Sequence, residues 1–185
     1  MNFLKVIREV CGALDKAGVR YALIGGFAMA LRGVQRSTVD LDFILMMEDL
    51  EKADAIFLRQ GYSRVFRSEN VSHYEADELE LGRIDILHAF RGPTLGMLKR
   101  ADRIDVADSL SMPVVQIEDI IGLKVQASVN DSRRHHKDWS DIRQILEACA
   151  ESKHSVDWEI LEDYLDLFKL GAELQVMKGW YAAAE

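Results

Sequence analysis

The chain has 185 residues, 49% of them hydrophobic and 29% charged. That suits one globular domain, or a small core with an appendage, which can bury its interior without disulfides or a structural metal. A net charge of −8 and only two prolines exclude a general nucleic-acid coat and a Pro-rich linker, while leaving room for a local basic patch. Cys11 and Cys149 have no partner at Cys-x-x-Cys spacing and fall in segments of helical period, so buried free thiols in a reducing cytoplasm are expected. The first residues carry charge from Lys5 onward, unlike a secretory signal. The longest uncharged run, 21–31, is too short to span a bilayer.

In chain order, residues 2–17 place Phe3, Val6, Ile7, Val10 and Leu14 at helical spacing, closed by Gly18. Residues 20–24 read as a short buried strand. Gly25-Gly26 turns sharply into a short helix stopped by Gly33. Residues 39–46 read as a second strand and 48–59 as a helix ended by Gly61. Strands are expected at 62–66, 72–76 and 82–88, then a short helix at 93–101. Residues 103–107 and 111–115 pair as a hairpin around Asp108-Ser109. After Pro113 the segments 117–129, 137–150, 157–169 and 171–181 are all helical in period. The expected fold class is α/β (α+β). Residues 1–115 would form a core with a short mixed β-sheet flanked by helices, and residues 116–185 a helical part packed on it.

Two carboxylates break the second strand. Asp40 and Asp42 sit among Val39, Leu41, Phe43, Ile44 and Leu45. Alternation puts both on one face, roughly 6–7 Å apart. Like charges there repel and cost desolvation, so something positive should compensate. Asp85 repeats the anomaly within Arg83-Ile84-Asp85-Ile86-Leu87, and an adjacent antiparallel strand would bring it beside the pair. Either this is an edge strand whose Asp residues are solvated or paired with Arg36 or Arg83, or it is a three-carboxylate site for a hard divalent cation. Mg²⁺ uses one or two carboxylates plus substrate phosphates, and two such ions can clamp both oxygens of a phosphoryl displacement. Gly26 lies fourteen residues before Asp40. Without side chains, Gly25 and Gly26 let backbone N–H groups approach a phosphate at the positive end of a helix.

In these residues the chain resembles the polymerase-β-like nucleotidyltransferase superfamily. The similarity runs from Leu23-Ile24-Gly25-Gly26-Phe27-Ala28 to Arg36-Ser37-Thr38-Val39-Asp40-Leu41-Asp42-Phe43, with Asp85 as the third carboxylate. It is most similar to the minimal bacterial nucleotidyltransferases of the AbiEii toxin type. These share the wording from Arg36 through Thr38 to Asp42, a helix with a Lys (here Lys124), and Lys137-Asp138-Trp139-Ser140-Asp141. The resemblance spans about residues 20–146. It implies that Gly25 and Gly26 hold the β- and γ-phosphates of a nucleoside triphosphate, with Arg36, Thr38, Lys124, Asp138 and Asp141 as further nucleotide-binding residues. Asp40 and Asp42 would bind Mg²⁺, with Mn²⁺ as an alternative ion. Asp85 would complete a second metal site and deprotonate the acceptor hydroxyl. The reaction would move a nucleoside monophosphate from a triphosphate such as ATP to that hydroxyl and release pyrophosphate. The acceptor stays open between a tRNA end, a protein and a small molecule, and an antitoxin protein is a further expected partner.

Read on their own, the downstream residues leave alternatives. Lys124 occupies the inward stripe set by Ile117, Ile120 and Ile121, where it either snorkels outward or reaches a triphosphate. Asp138 and Asp141 flank the stripe of Trp139, Ile142, Ile145, Leu146 and Cys149, either as a solvated helix start or as partners of Lys124. The basic run Arg133–Lys137 is either a solvated loop or a contact for RNA or triphosphate. His135-His136 lacks zinc-ligand spacing, and the stripe Trp158, Leu161, Leu165, Phe168 reads as helical core. A soluble, Mg²⁺-dependent nucleotidyltransferase is the expectation. The rivals are an inert nucleotide-binding or toxin–antitoxin component of the same fold, and a purely structural domain.

Overall fold

The computed structural model of the chain describes residues 1–34, 37–107 and 110–184. The hairpin turn expected at Asp108-Ser109 lies outside them, as does Arg36. The chain divides into two compact units: Met1–Leu31 with Gln35–Gln116, and Arg32–Val34 with Ile117–Glu185.

The first unit opens with three consecutive helical pieces: α1 (Phe3–Val6), a π-helical turn (Ile7–Cys11) and α2 (Gly12–Lys16). The apolar period expected for 2–17 is present, and Val6, Ile7, Val10, Cys11 and Leu14 are buried. The π turn was not visible as a pattern. Strand β1 (Tyr21–Ile24) leads into α3 (Gly25–Leu31), then β2 (Asp40–Met46) and α4 (Leu50–Arg59). Next come β3 (Tyr62–Arg67), β4 (Val71–Ala76), β5 (Arg83–Ala89), α5 (Gly92–Arg100), β6 (Asp102–Ala107) and β7 (Leu110–Val114). Among the described residues these strands form one seven-stranded mixed sheet in the order β3-β4-β5-β2-β1-β7-β6.

Asp85 does lie on the strand beside Asp40 and Asp42, but β5 runs parallel to β2, not antiparallel. The reason is connectivity. The chain leaves β2 through α4, turns at the β3–β4 hairpin and returns on β5, which is antiparallel to β4 and therefore parallel to β2. Residues directly opposite one another point to the same face in parallel and antiparallel pairs alike, so Asp85, opposite Asp42, shares its face.

Leu41, Phe43 and Leu45 alternate with the half-exposed Asp40 and Asp42 and are fully buried, as are Ile84 and Tyr74 on neighbouring strands. One carboxylate ties the unit together. Asp49 accepts from the Arg20 backbone N–H at 3.0 Å and from Arg20 Nε at 2.7 Å, fastening the start of β1 to the N-terminal end of α4. The guanidinium holds the Asp49 carboxyl below the usual carboxylate range.

Ser72 and His88 form a polar pair within the interior. Ser72 Oγ lies 2.9 Å from His88 Nε2, and His88 Nδ1 lies 2.8 Å from the Glu69 carbonyl. A carbonyl only accepts, so Nδ1 carries the hydrogen and Nε2 accepts from Ser72. Burial depresses the proton affinity of His88 below its ordinary value of 6.5. The unfolded chain therefore binds this proton at a pH where the folded chain does not. The His88 contribution is complete above pH 6.5 and is lost as pH falls below it toward the depressed folded value. Thermal melts should show stability declining from about pH 7 to about pH 5.5, with a shallower decline in His88→Gln. An identical slope in the two proteins would contradict the assignment.

The second unit comprises α6 (Ile117–Asn130), a 3₁₀ turn (Ser132–Arg134), α7 (His135–Glu151), α8 (Trp158–Leu167) and α9 (Glu173–Ala184). Leu161, Tyr164 and Leu165 are the buried residues of α8, while Trp158 and Phe168 are half-exposed. The expected aromatic stripe is thus core at its leucines, with Tyr164 the aromatic that goes inside. Its hydroxyl donates to the buried Asp119 carboxylate at 2.7 Å, and its ring fills the space over Gly122. Cys11 and Cys149 are free and buried, and burial pushes their thiols up to about 12 and about 11, which leaves them unreactive. No helix among the described residues is long and apolar enough to cross a membrane.

Candidate active site

The first unit carries the three anomalous carboxylates on one sheet face. Asp40 stands opposite Arg83, and Asp42 opposite Asp85, on neighbouring strands about 4.8 Å apart. The row continues in both directions. Ile24 lies opposite Asp42 on β1, His73 opposite Asp85 on β4, and Phe66 opposite His73 on β3. One rung therefore crosses five strands: Phe66, His73, Asp85, Asp42, Ile24. Residues in register share a face.

Asp85 Oδ1 accepts two hydrogen bonds, from Arg83 Nε at 2.8 Å and from His73 Nδ1 at 2.6 Å. Arg83 is held still more firmly in its protonated form by this bond. The pairing weighed for Asp85 and Arg83 is thus present, and His73 adds a second donor. His73 was not singled out from the sequence. A lone His on a strand carries no signal until register sets it beside Asp85.

Gly25 borders the same row from the end of β1. Its φ is +70°, in the left-handed region that a side chain disfavours. A Cβ placed there would collide with the Asp42 carboxylate oxygen, and would lie 2.7 Å from Cγ and 2.8 Å from Cβ. Of the two glycines expected to matter, the structure shows the need for one at Gly25; Gly26 follows it in the first turn of α3. Thr38 uses its hydroxyl to donate to the Asp40 carbonyl at 3.1 Å, shaping the entry to β2. Arg36 is among the residues outside those described.

Among the described residues, no three His, Cys, Asp or Glu side chains are close enough together to hold a metal ion by themselves. The donor set still fits a hard cation, because Asp40, Asp42 and Asp85 offer oxygen ligands from adjacent positions on one face. Mg²⁺ normally takes one or two carboxylates and completes its shell with water and substrate phosphates.

In the helical unit, Lys124 Nζ pairs with Asp141 Oδ2 at 2.5 Å and lies 3.5 Å from Asp138 Oδ1. The lysine side chain is 14% exposed and the two carboxylates 2% and 0%. Lys124 therefore does not snorkel, and Asp138 and Asp141 are not a solvated helix start. Arg134 Nε also donates to Asp138 at 3.0 Å, and Arg133 bonds Asp131 through Nε and Nη2, each at 2.9 Å. The basic run is not a loop. It is a 3₁₀ turn running into α7, with both arginines engaged by nearby carboxylates.

The family model described as "Nucleotidyl transferase AbiEii toxin, Type IV TA system" matches residues 12–169. No curated protein sequence matches the chain. Solved structures share its fold. The antibiotic-resistance factor ANT(2″)-Ia in solution is 16% identical, with a TM-score of 0.62, over 99% of this chain and 100% of that one. The same protein in complex with adenylyl-2″-tobramycin is 15% identical, with a TM-score of 0.59, over 99% and 98%. The lincosamide antibiotic adenylyltransferase LnuA with lincomycin bound is 17% identical, with a TM-score of 0.55, over 76% and 94%.

Proposed function

The chain belongs to the AbiEii nucleotidyltransferase family, and from that premise we propose that it transfers a nucleoside monophosphate from a nucleoside triphosphate to an acceptor hydroxyl in a Mg²⁺-dependent reaction. The observation that carries this reading is the placing of Gly25 against Asp42, with Asp42 in register with Asp85. A backbone stripped of its side chain thereby borders a pair of carboxylates, as a bound triphosphate with its cation requires.

The roles follow from charge. Asp40 and Asp42 would hold Mg²⁺ or Mn²⁺, which neutralises charge building on the α-phosphate when bound. Gly25 and Gly26 would receive the β- and γ-phosphates. Asp85 would take the proton of the acceptor hydroxyl as its oxygen bonds the α-phosphorus. The bond from that phosphorus to the β-phosphate bridging oxygen breaks, and pyrophosphate leaves with the electron pair. Arg36, Thr38, Lys124, Asp138 and Asp141 are proposed as nucleotide-binding residues on the resemblance, Lys124 as a point charge and its two carboxylates as supports. A tRNA end, a protein hydroxyl and a small molecule all satisfy this chemistry. A net charge of −8 favours a compact acceptor over a long RNA. A cytoplasmic location and an antitoxin partner belong to the same proposal.

Incubating the protein with each labelled triphosphate, Mg²⁺ and a cell extract tests the reading. Label should enter one acceptor fraction, and Asp42→Asn should abolish transfer, a loss of at least about 10³-fold from misplaced charge stabilisation. The same change should remove stabilisation of the fold by Mg²⁺ and triphosphate in thermal melts, because that stabilisation arises by mass action on the folded state. A second reading, an inert nucleotide-binding member, is favoured by the double engagement of Asp85 Oδ1. It predicts the stabilisation by Mg²⁺ and triphosphate without any transfer.

A further inference from the structure

We infer that His73 is a positioning residue for Asp85: its imidazole fixes the carboxylate so that one oxygen is held and the other is left for the reacting hydroxyl. The inference rests on the transfer reaction proposed above and adds a residue to it.

The geometry is specific. His73 Nδ1 and Arg83 Nε converge on the same oxygen, Oδ1, at 2.6 and 2.8 Å. Among the described residues, nothing donates to Oδ2. An ionised carboxylate accepts only, so the imidazole hydrogen sits on Nδ1. Two donors from different strand positions, Arg83 two residues along β5 and His73 across on β4, remove the rotational freedom that a half-exposed Asp would otherwise keep. Each donor alone allows the carboxylate to swing; together they define its plane.

His73 is itself braced. The Phe66 ring stacks on the imidazole, with centroids 5.3 Å apart and an interplanar angle of 25°. Phe66 is 50% exposed, and one face of its ring lies against the imidazole. The order Phe66, His73, Asp85 along one rung thus passes from a packing contact to an oriented hydrogen bond to the proposed base. A carboxylate that must meet a hydroxyl at hydrogen-bond distance gains most from such support, since about 1 Å of misplacement can cost about 10²-fold in rate.

Five proteins test this: wild type, His73→Ala, His73→Asn, Asp42→Asn and Asp85→Ala. His73→Ala should lower the turnover of labelled transfer by about 10–100-fold, the usual effect of removing an outer partner of a catalytic ligand. Its acceptor KM, its affinity for Mg·ATP in calorimetry and its melting temperature should stay at wild-type values. His73→Asn places an amide N–H where Nδ1 stood and should restore most of the turnover. In wild type labelled with ¹⁵N-histidine, the Nδ1–H proton should resonate as a hydrogen-bonded signal that disappears in Asp85→Ala. Equal turnover in wild type and His73→Ala, with transfer still lost in Asp42→Asn, would overturn the role of His73 and leave the reaction standing. Absence of the Nδ1–H signal, or its survival in Asp85→Ala, would overturn the role as well. Failure of wild type to transfer label to any acceptor would overturn both.

Discussion

Replacing Gly25 with alanine is expected to cost this protein both stability and nucleotide binding. The residue adopts φ +70°, where a Cβ meets its own backbone, and the cost is about 1–3 kcal/mol. The new methyl also has nowhere to go, because Asp42 Cγ and Cβ would lie 2.7 and 2.8 Å away. Either β2 shifts or the Asp42 carboxylate swings off its rotamer, and both displace the proposed Mg²⁺ ligand. Calorimetry should record a fall of at least about 10²-fold in affinity for Mg·ATP, and denaturant melts should record the loss of stability. The two contributions can be separated. In an Asp42→Gly background the collision is gone and only the backbone strain remains, so Gly25→Ala should be less destabilising there. Equal effects in both backgrounds would mean that Asp42 does not crowd Gly25.

Lys124→Met should be the most destabilising single change in the helical unit. The lysine lies between two carboxylates that are 2% and 0% exposed, so its removal leaves buried negative charge short of a cation. Breaking such a cluster costs about 3–5 kcal/mol, or on the order of 10 °C in melting temperature for a chain of this size. Asp141 is the nearer partner of the lysine, at 2.5 Å against 3.5 Å for Asp138. Adding Asp141→Asn to Lys124→Met should recover part of the loss, because an amide carries no charge to desolvate. A loss below about 1 kcal/mol, as for an exposed pair, would show that Lys124 is solvated in solution. The experiment bears on function too. A lysine already neutralised by two carboxylates is a fixed, oriented charge, and the same melts repeated with Mg·ATP would reveal whether nucleotide adds to its stabilisation.

Local pattern and tertiary register divide the account of this protein between them. The strands around Asp40, Asp42 and Asp85 were legible because carboxylates stand out in a run that otherwise alternates or stays apolar. The four C-terminal helices were legible from their period alone. Burial follows that period almost residue by residue, from Ile117, Ile120 and Ile121 in α6 to Ile142, Ile145, Leu146 and Cys149 in α7. The motif joining Gly25 to Asp42 needed only sequence spacing, since a turn, a short helix and the next strand are contiguous in the chain.

What the tertiary structure alone decided is who stands beside whom. Strand pairing is a long-range event whose register no local pattern encodes, and it set β5 parallel to β2, put His73 on Asp85 and stacked Phe66 on His73. The same holds for charge in the helical unit. A Lys on an apolar stripe can snorkel or pair, and two Asp near a helix start can be solvated or buried; only the meeting of α6 with α7 chose pairing and burial. The basic run leaves a solvated loop and a ligand contact open in sequence, and only the fold makes it a 3₁₀ turn running into a helix. Arg133 and Arg134 instead fold onto Asp131 and Asp138, neutralising the charge that would otherwise disfavour a helix N-terminus. Composition and period thus determine which residues go inside, because burial is a property of each side chain and its face. Which polar groups meet, and hence what chemistry they can do, is a property of pairs distant in sequence, and only the folded chain brings those pairs together.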